Sequence, residues 1–138
     1  GRSPLGVSFR VNKCSGYLEQ FQDFSPPLAR ECPYPEEDFP VTLAEEEDGA
    51  CRNFAGSIGR CRLALPKDYE NIPLSDNCKS YLEKSISYNG CVDKHRNDSD
   101  FLKNEWRVFL RKDDLLWKDA RAIRLIDDKG ATVDTLLF

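Results

Sequence analysis

Six cysteines stand at positions 14, 32, 51, 61, 78 and 91, and the chain holds a single histidine, His95. Thiols and imidazoles supply nucleophiles, metal ligands and disulfides, and spacing decides which. None of the cysteines forms the Cys-x-x-Cys pair typical of zinc sites, and one histidine adds little to a ligand set. An even number at wide spacing in a chain of 138 residues predicts that Cys14, Cys32, Cys51, Cys61, Cys78 and Cys91 form three disulfides. That implies an oxidising compartment. Reduced, buried cysteines in a cytosolic protein are the alternative. Sequence cannot choose among the possible pairings. Short loops close most readily, which favours Cys51–Cys61, Cys78–Cys91 and Cys14–Cys32.

His95 sits in DKHRND between Lys94 and Arg96. Those cations oppose an imidazolium, and no apolar shell surrounds the ring, so it reads as a solvated loop histidine rather than a catalytic base. Asp98 and Asp100, with Asn97 and Asp93, form an oxygen-rich stretch. It lacks the D-x-[DN]-x-[DN]-G order of a calcium loop, and its cations would repel a metal. Asp127 and Asp128 read as turn residues, and Glu45 to Asp48 as a solvated acidic run. No catalytic residue, metal or cofactor is assigned. Asn97-Asp98-Ser99 is a formal N-glycosylation acceptor in a eukaryotic secretory setting.

The elements that would position these groups can be read from apolar periodicity. VSFRV (7–11) predicts a short strand, and CSGYLEQFQDF (14–24) a short helix stopped by Ser25-Pro26-Pro27. Residues 25–48 carry five prolines and the acidic run, which predicts an extended loop pinned by Cys32. RNFAGSIGR (52–60) predicts a turning loop, and RLAL (62–65) a brief strand or a core contact. LSDNCKSYLEKSISYNG (74–90) carries the strongest helix signal, capped by Ser75 or Asp76 and ended by Asn89-Gly90. DKHRNDSD (93–100) reads as a loop. EWRVFLR (105–111) alternates as a half-buried strand with Trp106, Val108 and Leu110 inward. A closing hairpin, RAIRLID and ATVDTLLF around Asp128-Lys129-Gly130, needs Gly130 at positive φ. With the 105–111 strand it predicts a three-stranded sheet whose apolar face includes Ile123, Leu125, Val133 and Leu137.

The stretch WRVFL followed by LLWKDARAIRLIDDKGATVD resembles the final strands of a lamin tail domain of the bacterial secreted type. Arg124, Leu125, Ile126, Asp127, Gly130, Val133 and Asp134 match that family's hairpin, and the likeness covers residues 101–138. The resemblance implies an immunoglobulin-like β-sandwich, non-enzymatic and appended to other domains. The family's opening strands have no clear counterpart in residues 14–91, where cysteines, prolines and a helix stand instead. The fold expected is therefore mainly β with one or two short helices. It is an immunoglobulin-like β-sandwich or related small sheet with a disulfide-stapled N-terminal half, all in one domain, 1–138.

Charge and composition narrow the partners. The net charge of −4 argues against nucleic acid, which needs concentrated cations. Residues 101–138 hold eight Lys and Arg against seven Asp and Glu, net +1, and the rest hold twelve against seventeen, net −5. Arg107, Arg111 and Arg124 are expected on the outer face of the sheet with Phe109, as candidate binding residues beside Leu136 and Phe138. No apolar run reaches the length of a membrane span, and GRSPLGVSF is no signal peptide. The absence of Met reads as a processed chain or an excised piece. The function expected is a non-catalytic extracellular, periplasmic or cell-surface module, part of a larger secreted or envelope protein, binding protein or cell-surface polymer. A small secreted hydrolase using acidic residues, or a secreted inhibitor or effector, is the alternative.

Overall fold

The computed structural model describes residues 3–46, 49–109 and 122–137. The order is β1 (Phe9–Asn12), a 3-10 turn (Ser15–Gln20), α1 (Val41–Glu46), α2 (Ala50–Ser57) and α3 (Pro66–Tyr69). Then follow α4 (Asp76–Ser85), α5 (Tyr88–His95), β2 (Leu102–Arg107), β3 (Ala122–Ile126) and β4 (Thr132–Leu137). Among the described residues helix exceeds strand, and the strands form two separate two-stranded sheets. The expected mainly-β, immunoglobulin-like sandwich is therefore wrong for this chain.

Helix was missed for local reasons. Between Cys51 and Cys61 the two glycines suggested a loop, but Phe54, Ala55 and Ile58 face one core at helical spacing, and α2 forms there. Asn89-Gly90 was read as a helix end, yet Gly90 lies in the first turn of α5. The Ser87 hydroxyl caps that turn by accepting from the Gly90 N–H at 3.0 Å. Gly90 is required by crowding: a Cβ there would collide with the Lys84 and Ser85 carbonyls. The Ser75 cap of α4 was expected, and its Oγ accepts from the Cys78 N–H at 3.1 Å. RLAL adds no strand but buries Ala64, and α1 closes the proline-rich segment.

The disulfide pairs are Cys14–Cys91, Cys32–Cys61 and Cys51–Cys78, and no cysteine is free. All three short-loop pairings are thus corrected. A helix advances about 1.5 Å per residue, so α2 and α4 carry Cys51 from Cys61 and Cys78 from Cys91 along their lengths. The observed partners sit 5.2 to 5.8 Å apart at Cα, the separation a disulfide needs. Their sulfurs form the middle of the main core with Tyr17, Leu82, Tyr69 and Ala55. A smaller core gathers Val11, Phe24 and Leu28, with Phe9 edge-on to Phe24.

The last strands do not join into three. β2 pairs antiparallel with β1, Phe9 opposite Arg107, while β3 and β4 pair only with each other. The hairpin itself forms as expected: Gly130 has φ 81°, and Asp127 Oδ1 accepts from the Lys129 and Ala131 N–H groups. Its Leu125 and Val133 are exposed rather than turned to a core. The inward face of β2 is also reversed. Trp106 is 55% exposed, whereas Arg107 is 1% exposed and donates from both terminal nitrogens to the Pro26 and Pro27 carbonyls. Those carbonyls, far away in sequence, need a donor, and alternation alone cannot reveal that.

Candidate functional site

The polar centre of the molecule is built around the residue read as solvated. His95 closes α5 with its side chain only 14% exposed. The Asp98 N–H donates to the His95 carbonyl at 2.9 Å, and this turn brings the Asp98 carboxylate to Nδ1 at 2.9 Å. On the other side, Asp38 meets Nε2 at 2.7 Å. Asp38 belongs to a proline-rich strap, residues 33–40, folded by turn bonds from the Glu37 N–H to the Tyr34 carbonyl and from the Phe39 N–H to the Glu36 carbonyl. Lys94 holds Asp38 twice, at the carbonyl (2.9 Å) and at Oδ1 (3.0 Å).

Lys13, just after β1, completes the cluster. Its backbone N–H donates to the Phe101 carbonyl at 2.8 Å. Its ammonium bridges Asp98 at 2.9 Å and Asp100 at 2.5 Å. Hydrogen bonds from Lys13, first, and then from His95 hold the Asp98 carboxyl below its ordinary range, and Lys13 does the same for Asp100. Asp100 and then Asp98 raise Lys13 in return. For His95, burial opposes the charge most, but the hydrogen bonds to Asp38 and Asp98 together outweigh it and the ring's pKa is raised. A neutral imidazole has one N–H to donate, so carboxylates at both nitrogens call for the imidazolium.

Two clefts run beside the strap, and Asp38 and Pro33 line both. One, about 480 Å³, is bordered by His95, Lys13, Asp100, Arg60, Glu31 and Lys103. The other, about 440 Å³, is bordered by Tyr17, Pro35, Pro40, Tyr81 and Lys84. Burial, then the nearby Asp38 charge, pushes Tyr17 and Tyr81 up to about 12, so both stay neutral hydroxyls. Most of the charged borders are already paired inside the molecule. Arg60 donates to the Cys32 and Glu31 carbonyls and lies over the Tyr34 ring, and Lys103 meets Glu31 at 3.3 Å.

Of the arginines expected on one outer face, Arg107 and Arg124 stand on strands of two different sheets. Arg107 is buried and also pairs with Glu105 at 2.6 Å, so it positions β2 rather than meeting a ligand. Phe109 is half-buried and its N–H donates to Ser8 Oγ. Arg124 is exposed on β3, opposite Thr135. Arg111 and Phe138 lie outside the described residues. The oxygen-rich stretch serves salt bridges: Asp98 and Asp100 both hold Lys13, and among the described residues no cluster of His, Cys, Asp and Glu could hold a metal. Lys13 and Asp38 were missed. The i, i+3 spacing of His95 and Asp98 was a local clue, but Asp38 lies 57 residues away and gave none.

These features define a three-disulfide helical module with a half-buried to exposed charge cluster and an exposed terminal β-hairpin. No protein-family model, no curated protein and no solved structure matches the chain.

Proposed function

We propose that this chain is a non-catalytic, disulfide-stabilised extracellular interaction module that binds protein or cell-surface polymer within a larger secreted or envelope protein. The observation that carries the reading is the complete pairing of six cysteines, each at most 6% exposed, with no free thiol. Such pairing persists in oxidising compartments and leaves no thiolate nucleophile. Among the described residues no helix is long and apolar enough to cross a membrane. The only histidine has both ring nitrogens against carboxylates, so neither lone pair is offered to a substrate, which favours binding over general-base chemistry. The likeness of residues 101–138 to lamin tail strands is proposed for the hairpin alone, where exposed Arg124 is a candidate contact. The test is saturable binding of the labelled, oxidised protein to intact cells and to isolated envelope polymers. Binding that disappears on reduction supports the proposal. Absence of binding, or turnover of an envelope polymer, overturns it.

A further inference from the structure

The strap over residues 33–40 is fastened at one end by the adjoining Cys32–Cys61 bridge and followed by α1. Along its length it is held by polar contacts. The Tyr81 hydroxyl donates to the Pro35 carbonyl at 3.1 Å, and Phe39 packs edge-on against Tyr81. The remaining bonds converge on Asp38, from His95 and Lys94. The cleft beside His95 is a seam of this docking, since most of its charged borders bond one another: Lys13 with Asp100, His95 with Asp38 and Lys103 with Glu31. What the arrangement controls is whether the strap stays down.

We infer that His95 is a protonation-dependent clasp: as imidazolium it joins the strap's Asp38 to the Asp98 turn, and its deprotonation loosens the strap over Tyr17 and Tyr81. The geometry alone requires this coupling. With one N–H lost, one of the two carboxylates meets a lone pair instead of a donor, and two acceptors facing each other repel. Asp98 has a second holder in Lys13, and Asp38 keeps Lys94, which lies half-exposed. Beyond these, Asp100, Glu31, Glu37, Arg60 and Lys103 border the same cleft. Of these, Glu31 and Lys103 pair with each other, Asp100 pairs with Lys13, and Arg60 is engaged with backbone carbonyls, so the two carboxylates on the ring nitrogens are its direct partners. His95 is also the last residue of α5, where the helix's carbonyl end favours a cation.

The direction follows from linkage. A histidine whose folded pKa is raised contributes its full stabilisation below its ordinary value, near ~6.5, and loses it as pH rises through the folded value. The strap is therefore clasped below the ring's raised folded value, for as long as the Asp38 and Asp98 carboxylates are ionised, and loosened as pH rises through that value.

The experiment is an NMR titration of the His95 ring in the intact, oxidised protein, run with amide hydrogen exchange at Phe39, the exchange rates corrected for their intrinsic pH dependence. The expected result is a ring titration above the ordinary histidine value, with Phe39 protection falling at least several-fold at the same midpoint. H95Q should show low Phe39 protection at every pH, without that step. D38N tests the clasp in a second way, lowering the ring's midpoint while Asp98 remains. A ring that titrates at or below the ordinary value, or Phe39 protection that does not change across the ring's midpoint, overturns the inference. Binding to cells plays no part in this readout, so its outcome is independent of the proposed function.

Discussion

Replacing Cys14 and Cys91 together by alanine tests the long-range tether most sharply. That bridge closes a separation of 77 residues, against 29 for Cys32–Cys61 and 27 for Cys51–Cys78. If bridges act by restricting the unfolded chain, the entropy grows with the logarithm of the loop. The Cys14–Cys91 bridge then contributes about 4.5 kcal/mol and each of the others about 3.6 kcal/mol. All six sulfurs sit in the same core, so the packing lost is similar in each pair and largely cancels in the comparison. A domain's whole margin is roughly 5–15 kcal/mol, so the longest bridge is a large share of it. Urea unfolding followed by circular dichroism is the assay, with the three double-alanine variants in parallel. The midpoint should fall by about 2–3 M for Cys14/Cys91. A loss smaller than that of either other pair would refute the tether as the main constraint.

Arg107→Ala leaves the Pro26 and Pro27 carbonyls without their buried donor, and should cost about 2–4 kcal/mol in thermal unfolding. Arg124→Ala on the exposed hairpin should stay within about 0.5 kcal/mol. Gly90→Ala forces a Cβ into the Lys84 and Ser85 carbonyls, so a loss of about 1–3 kcal/mol is expected in the same assay. Ser75→Ala removes the α4 cap and should cost about 1 kcal/mol. Asp98 and Asp100 have lowered folded values. Their contribution is therefore present above the ordinary carboxylate range, near ~4, and is lost as pH falls through the folded values. Carboxyl NMR of Lys13→Met should show both groups titrating closer to that ordinary range, and unchanged titrations would contradict the Lys13 bridge.

What the sequence exposed was local. The Ser75 cap, the closing turn at Gly130 and the full engagement of cysteines rest on residues adjacent in the chain or on simple parity. α4 was visible because Cys78, Tyr81 and Leu82 repeat on one face. The errors arose where a distant partner overrides a local pattern. EWRVF alternates in either sense, and the choice fell to Arg107 because two proline carbonyls waited beneath it. Gly90 looked like a stop because its reason for being glycine is a neighbouring helix end. His95 looked solvated because Asp38 reaches it across 57 residues, and Cys51 looked paired to Cys61 because the helix that parts them was read as a loop. The hairpin was legible from its own alternation and Gly130, whereas the immunoglobulin-like sandwich implied by the lamin-tail likeness is contradicted by two separate two-stranded sheets.

Peptide mapping of the non-reduced protein by mass spectrometry reaches the centre of the matter. Cross-linked peptides joining Cys14 to Cys91, Cys32 to Cys61 and Cys51 to Cys78 are predicted, with no alkylatable thiol before reduction. Neighbouring pairs such as Cys51 with Cys61, or free thiols in the native protein, would contradict both the fold and the extracellular reading built on it.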